Sequence, residues 1–287
     1  KKLNIFSLLL IILSLFIIFF KGLNFGVDFK GGTLIELRPS ESHVKISEIR
    51  TSLLKMNLGD VTVKKFGNDN DYLVNIEMKD SSNSNFIESI KNKLINDLNS
   101  DVNFRRVEAV GPKVSTELLK AGLLSITLSL VAMLIYIWIR FEWQFSLAAI
   151  SALLHDVIIT LGIFSLMSFE VNLSIVAAVL TIVGYSMNDT VVIFDRIREN
   201  LKKYSKISIS EISNNSTNET LSRTLITSVT TLLALFSIYI FGGFILKGFS
   251  FAMIIGVIIG TYSSIYVATP ILNYTKVNQK TVLKEEN

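Results

Sequence analysis

Six long apolar blocks constrain this chain more than any other feature of its sequence. They occupy residues 3–20, 119–139, 145–167, 173–194, 224–241 and 249–272. Each block can cross a hydrocarbon layer about 30 Å thick as a helix that rises about 1.5 Å per residue. Half of the 287 residues are hydrophobic and only 18% are charged. The sequence therefore predicts a membrane protein with a helical bundle of six transmembrane helices.

The first apolar block has one feature of a secretory signal peptide, because Lys1 and Lys2 precede it. The block, residues 3–20, is at the upper limit of length for the apolar region of a signal peptide, and it ends at Phe19-Phe20-Lys21 without the small residues that a cleavage site needs. We interpret residues 1–21 as an uncleaved transmembrane helix.

Lysine and arginine are unevenly distributed among the segments that flank the blocks. The segments on one side of the predicted spans hold Lys1, Lys2, Arg140, Arg196, Arg198, Lys202, Lys203, Lys206, Arg223, Lys276, Lys280 and Lys284. The two short loops on the opposite side, between spans 3 and 4 and between spans 5 and 6, hold only Lys247. Because positive charge favours the cytoplasmic side, both termini and a tail at 273–287 are predicted to be cytoplasmic. Segment 22–117 then lies outside the cytoplasmic membrane.

Segment 22–117 has the residue periodicities of a soluble domain. They predict strands at 33–37, 61–66, 72–78 and 104–110, and helices at 46–56 and 86–98. The order β-α-β-β-α-β is that of the ferredoxin-like folds. The predicted fold class is therefore a helical membrane protein with an α+β, ferredoxin-like extracytoplasmic domain, followed by a five-helix bundle at 118–272.

Charged and polar residues inside the spans are the candidates for function, because burial in lipid is costly for them. Span 3 carries Asp156, span 4 carries the pair Asn188 and Asp189, and Arg223 begins span 5. Asp189 is placed roughly 10 Å inside the cytoplasmic edge, and Arg223 reaches it if spans 4 and 5 pack together. A carboxylate whose burial and cationic neighbour change as helices move can load and release a proton. The alternative is a fixed pin between helices.

Span 6 has a small residue at every fourth position. The stripe consists of Ala252, Gly256, Gly260, Ser264 and Ala268. Such a stripe allows a second helix to approach closely. That helix belongs either to this chain or to a second membrane subunit, and the sequence favours neither.

The composition and motifs argue against several kinds of chemistry. The chain has no cysteine, and its two histidines, His43 and His155, are too few for a multi-histidine metal site. Residues 26–33 approximate a phosphate-binding loop, but Gly32 stands where the loop needs its lysine. We therefore expect no cofactor, no metal, no nucleic-acid partner and no enzymatic activity.

Seven stretches of sequence, spread from span 1 to span 6, are typical of one family. They are NFGVDFKGGT (24–33), VGPKV (110–114), LHDVIITLG (154–162), VGYSMNDTVVIFDRIREN (183–200), RTLITS (223–228), FGG (241–243) and GVIIGTYSSIYVA (256–268). The stretch at 183–200 is the most specific because it contains the polar pair of span 4. By these motifs the chain resembles the SecF family, the smaller membrane subunits of bacterial SecD–SecF protein-export complexes in the resistance-nodulation-division superfamily.

The resemblance implies an accessory subunit of the Sec translocase that uses the proton gradient to drive export of secreted polypeptides. It implies a SecD-like subunit, the SecYEG channel, the SecA motor and the unfolded translocating polypeptide as partners, all at the lipid bilayer. It also implies that Asp189 is the proton-responsive carboxylate beside Asn188, that Arg223 is its partner, and that Asp156 is a secondary candidate.

Two alternatives remain open beside that function. A proton-driven small-molecule exporter of the same superfamily would be expected to contain an internal duplication, which this sequence lacks. A non-transporting scaffold of the export channel would tolerate Asp189→Asn, and it would not tolerate bulky residues in the stripe of span 6.

Overall fold

The computed structural model describes residues 2–41, 44–65, 70–77, 84–204, 207–275 and 277–283. In chain order its elements are α1 (Lys2–Lys21), β1 (Asn24–Phe25), α2 (Val27–Lys30), β2 (Gly32–Pro39), α3 (Ile46–Leu54), β3 (Val61–Lys65), β4 (Tyr72–Ile76), α4 (Ser84–Leu98), β5 (Val102–Val110), α5 (Pro112–Arg140), α6 (Trp143–Met167), β6 (Glu170–Val171), α7 (Leu173–Lys203), α8 (Ile209–Phe241), α9 (Gly243–Ser263), a π-helical segment (Ser264–Ala268), α10 (Thr269–Tyr274) and α11 (Gln279–Leu283).

These elements form two compact units. The helical unit consists of Lys1–Asn24 and Leu124–Asn287, and the α+β unit consists of Phe25–Leu123. Within the described residues, six helical stretches are long and apolar enough to cross a membrane: α1, α5, α6, α7, α8 and the run from α9 through α10. The six predicted spans are therefore confirmed as helices.

The helical unit is centred on α6, α7 and α9, whose apolar stretches are half or more buried, whereas α1, α5 and α8 are mostly exposed. Phe145 of α6 and Phe194 of α7 are both fully buried, and their ring centroids lie 5.1 Å apart in an edge-to-face arrangement. Lipid tails are as apolar as these rings, so close packing between helices holds this core together more than removal from water does.

Side chains at the helix starts explain where two of the long helices begin. The Asn172 side chain accepts a hydrogen bond from the backbone N–H of Ile175 at 3.2 Å, which caps α7. Ser208 caps α8 in the same way by accepting from Glu211 at 3.3 Å. These caps satisfy backbone donors that the first turn of a helix leaves free.

The α+β unit is a four-stranded sheet with two helices packed on it. The strand order is β3-β4-β2-β5, and every neighbouring pair is antiparallel. Ile35 and Leu37 of β2 are fully buried together with Ile49 of α3 and Ile90 and Leu94 of α4. Burying each such side chain contributes about 1.5–3 kcal/mol. The sheet and its two helices follow the element order that the sequence predicts.

Some boundaries differ from the sequence prediction. Strand β2 runs to Pro39 rather than ending at residue 37, because it pairs with β5 along its full length. Helix α3 ends at Leu54 instead of residue 56. The predicted strand ends at Phe66 and Met78, and the histidine His43, lie outside the described residues.

Two adjacent glycines allow a close approach of backbone at the start of β2. Gly31 has φ +78° and Gly32 has φ +117°, both in the region that disfavours residues with a Cβ. A Cβ on Gly32 would lie 2.4 Å from the carbonyl oxygen of Ile76 on the neighbouring strand. The glycines therefore shape the entry into the sheet.

Replacing Gly32 with alanine is expected to destabilise the α+β unit by about 2 kcal/mol, because the new methyl group meets backbone and φ is strained. The purified chain is unfolded in increasing denaturant, and the unfolded fraction at each concentration is measured from protease cleavage within residues 25–123. Gly111→Ala is the matched control, because a Cβ there meets nothing within 4 Å. Equal stability of the two variants would contradict the prediction.

Candidate functional site

Asp189 lies on α7 at its contact with α8. Its side chain is buried, with 3% of the residue exposed, and its Oδ2 atom has no hydrogen-bond partner. Two residues of α8 interact electrostatically with the carboxylate: Ser228, and Arg223 with its positive charge. A buried oxygen without a partner is an unusual feature, since buried polar atoms are normally paired.

Arg223 influences Asp189 without touching it. Helices α7 and α8 do pack together, yet among the ion pairs of the described residues there is none within 4 Å between Arg223 and Asp189. The reason is helical geometry. Ser228 faces Asp189, and Arg223 lies five residues earlier, about 7.5 Å along the axis and roughly 140° around it. Its side chain is exposed on the surface of the helical unit.

Asn188 does not share the environment of Asp189. It is exposed on the surface of the helical unit, although the next residue is buried. Successive residues of a helix point about 100° apart. The structure therefore separates the polar pair that the sequence analysis treated together.

Asp156 on α6 is at the centre of a buried polar cluster. It is fully buried, and its Oδ2 accepts hydrogen bonds from Ser186 of α7 at 2.6 Å and from Ser263 of α9 at 2.8 Å. Its Oδ1 lies 2.9 Å from Nδ1 of the adjacent His155, whose Nε2 is buried without a partner. Both oxygens are bonded, so this carboxylate ties three helices together.

Hydroxyl residues are the part of the site that sequence reasoning missed. Ser186 and Ser263 hydrogen-bond the Asp156 carboxylate, and Thr261 lies 2.7 Å from Ser228 across the interface of α8 and α9. Their signal in the sequence is weak, because serine and threonine also bond to the backbone of their own helix. The position of Ser186, three residues before Asp189, is the one usable clue.

The small-residue stripe of span 6 packs within this chain. A Cβ on Gly256 would lie 2.3 Å from the side chain of Ile182 on α7, and one on Gly260 would lie 3.0 Å from Ser186. The other three members, Ala252, Ser264 and Ala268, are fully buried. The helix that approaches the stripe is α7.

A buried carboxylate such as that of Asp189 can bind and release a proton. Within the described ranges, no group of three or more His, Cys, Asp or Glu side chains is placed to hold a metal ion. Asp189 combines a buried carboxylate, one oxygen without a partner and a cation at a distance.

Comparison with known proteins gives matches along nearly the whole chain. A family model described as protein export membrane protein SecD/SecF, C-terminal, matches residues 90–278, and the SecD/SecF GG motif matches residues 16–42. The protein translocase subunit SecF of Rickettsia bellii is 46% identical over 270 residues, which cover 93% of this chain and 88% of that protein. SecF of Vibrio alginolyticus is 45% identical over 269 residues, which cover 92% and 84% of the two chains.

Solved structures agree with these matches. The crystal structure of SecDF, a translocon-associated membrane protein from Thermus thermophilus, superposes with a TM-score of 0.87 at 34% identity over 96% of this chain. The chain spans 37% of the length of that protein. With the six apolar helices and the relatives above, these findings show that the chain belongs to the SecF family of protein translocase subunits, which are multi-pass proteins of the inner membrane.

Proposed function

We propose that this chain couples the proton gradient to the export of secreted polypeptides across the cytoplasmic membrane, together with a SecD-like subunit. The observation that carries the proposal is the buried Asp189 carboxylate with one unpaired oxygen at the contact of α7 and α8. A charged or polar group inside a membrane span is costly and is usually functional. Membership of the SecF family supports polypeptide as the cargo.

In the proposed mechanism Asp189 alternates between a charged and a neutral form. When charged, it is attracted to Arg223 on α8 and interacts with the dipole of Ser228 on that helix. When protonated, it no longer attracts Arg223, so the balance that holds α8 against α7 changes. One charge crossing a potential of 100 mV supplies about 2.3 kcal/mol. That is enough to shift an equilibrium between two helix arrangements whose free energies differ by a similar amount.

The proposal includes an orientation and a set of partners. Both termini are cytoplasmic, and segment 22–117 is a ferredoxin-like domain on the outer side, which the distribution of lysine and arginine and the strand order support. A SecD-like subunit supplies the second half of the membrane assembly, in keeping with the SecDF structure, of which this chain spans 37%. The complex acts on unfolded polypeptide beside the SecYEG channel and SecA.

Export into inverted membrane vesicles tests the function as a whole. Vesicles with and without this chain are supplied with ATP, SecA and a secreted reporter, and import is measured with and without a protonophore. We expect the protonophore-sensitive part of import to require the chain. A chain that raises import equally with and without the gradient would indicate a scaffold. Gradient-driven movement of a small apolar dye, with the reporter unaffected, would indicate a small-molecule exporter.

A further inference from the structure

A cavity of about 360 Å³ lies between α1, α6 and α9 of the helical unit. Its volume is within the range of small-molecule sites in proteins. The walls are almost entirely apolar, and all three helices contribute leucine or isoleucine side chains to them, among them Leu13, Ile17, Ile159, Ile163 and Ile258. Cavities with such walls exclude water and accept apolar molecules. The walls therefore favour an apolar occupant.

Two contacts fix α1 against the other helices around the cavity. The hydroxyl oxygen of Ser7 on α1 lies 2.9 Å from that of Tyr262 on α9. Further along α1, Ser14 packs directly on Gly162 of α6, where an added Cβ would lie 2.5 Å from the Cβ of Ser14. The seven residues from Ser7 to Ser14 correspond to about 10 Å along the helix axis. Helix α1 is thus held by α9 at one point and by α6 at another, and the cavity lies between the three helices.

One polar side chain in the cavity wall has an atom without a partner. His155 of α6 lines the cavity and is 1% exposed, and its Nε2 atom has no hydrogen-bond partner. Its ring stacks with that of Tyr262, which also lines the cavity, at a centroid distance of 6.2 Å. Buried polar atoms are normally paired. A ligand that supplies the missing partner is therefore favoured at this position.

The other nitrogen of His155 determines which partner Nε2 requires. Nδ1 lies 2.9 Å from Oδ1 of Asp156. A carboxylate only accepts hydrogen bonds, so Nδ1 carries the proton of the ring in this pair. The second nitrogen of a neutral imidazole is then an acceptor. The cavity therefore combines apolar walls with one buried acceptor, which calls for a hydroxyl group on an apolar chain.

We propose that the cavity between α1, α6 and α9 binds a single-chain apolar alcohol whose hydroxyl donates to Nε2 of His155. The apolar walls take the chain, and the hydroxyl gives the buried nitrogen its partner. If each non-hydrogen atom occupies about 30 Å³, as a water molecule does in the liquid, the cavity holds roughly twelve of them. Undecanol has this size. The inference does not depend on the proposed role of Asp189.

Photolabelling of the full chain in lipid nanodiscs tests the site. The probe is undecanol with a diazirine group in its chain, and its adducts are mapped by mass spectrometry. We expect saturable labelling of the residues that line the cavity. Ile163→Phe places a ring in the cavity and is expected to abolish this labelling. Leu154→Phe is the matched control, because Leu154 is an exposed residue of the same helix that does not line the cavity.

Displacement of the probe tests the hydrogen bond to His155. Undecanol and dodecane have the same number of non-hydrogen atoms, and only undecanol has a donor. His155→Asn keeps an N–H that can donate to Asp156 and has no atom in place of Nε2. The advantage of undecanol over dodecane is expected to fall about five-fold in this variant, as for the loss of one hydrogen bond. Using both competitors in both proteins cancels their different partition into lipid.

Each outcome decides the inference. Labelling that is equal in the wild-type chain and in Ile163→Phe overturns the site. An equal advantage of undecanol in the wild-type chain and in His155→Asn overturns the role of the hydroxyl, and it would indicate that a lipid acyl chain fills the cavity. A methyl ketone of the same size, which only accepts hydrogen bonds, is compared on the wild-type chain, so this result does not depend on how the variants fold. Stronger displacement by the ketone than by undecanol would show that Nε2 is a donor and would overturn the alcohol as ligand.

Discussion

Replacing Asp189 with asparagine is expected to abolish the gradient-driven part of polypeptide export. Asparagine has nearly the same shape and fits the same buried position on α7. It cannot gain or lose a proton at physiological pH, so it cannot respond to the gradient. Export in inverted vesicles should fall to the level that a protonophore gives with the wild-type chain.

The control for this substitution lies on the same helix. Asp195 forms an ion pair with Arg140 at 2.9 Å, and both side chains are almost half exposed. Exposed pairs contribute about 0–1 kcal/mol, so Asp195→Asn should leave export and its sensitivity to protonophore unchanged. Retention of gradient-driven export by Asp189→Asn, at matched protein levels, would show that this carboxylate is a fixed pin and would favour the scaffold.

The sequence predicts the membrane spans well and their full helices less well. Apolar blocks report the part of a helix that lies in lipid, and all six were found from them. Hydropathy gives no indication that α8 begins at Ile209, well before the predicted start at 224, because its first turns are polar and are held by the Ser208 cap. Helix α7 likewise continues to Lys203, beyond the apolar block that ends at 194.

The candidate site could be predicted only in part, for a similar reason. A carboxylate inside an apolar block is conspicuous, so the positions of Asp156 and Asp189 within spans 3 and 4 identify them as candidates. Which hydroxyls meet them depends on the rotation of α8 and α9 about their axes, and a single sequence does not contain that information. The same rotation turns Arg223 away from direct contact with Asp189, although its charge still acts on the carboxylate.

Replacing Gly256 with leucine is expected to cost about 3 kcal/mol of stability, the largest structural effect of any substitution considered for the helical unit. A first carbon at this position already lies 2.3 Å from Cγ1 and 2.9 Å from Cγ2 of Ile182. Both atoms are attached to the branched Cβ of Ile182, which has little freedom of rotation in a helix. Helix α9 must therefore move away from α7, and SDS-induced unfolding of the purified chain measures the loss.

Two further variants identify the cause of that loss. Ile182→Ala removes the atoms that the leucine meets, so the double variant should recover part of the stability, and the coupling energy between the two sites should be favourable. Gly184→Leu is the control on α7, since a Cβ there meets nothing within 4 Å. If Gly256→Leu and Gly184→Leu unfold alike, the close contact of α7 with α9 is not a source of stability. If only Gly256→Leu is weakened and Ile182→Ala rescues it, the glycines of span 6 serve this chain's own packing, and the close contact of α7 with α9 keeps Ser186 and Ser263 within hydrogen-bond distance of Asp156.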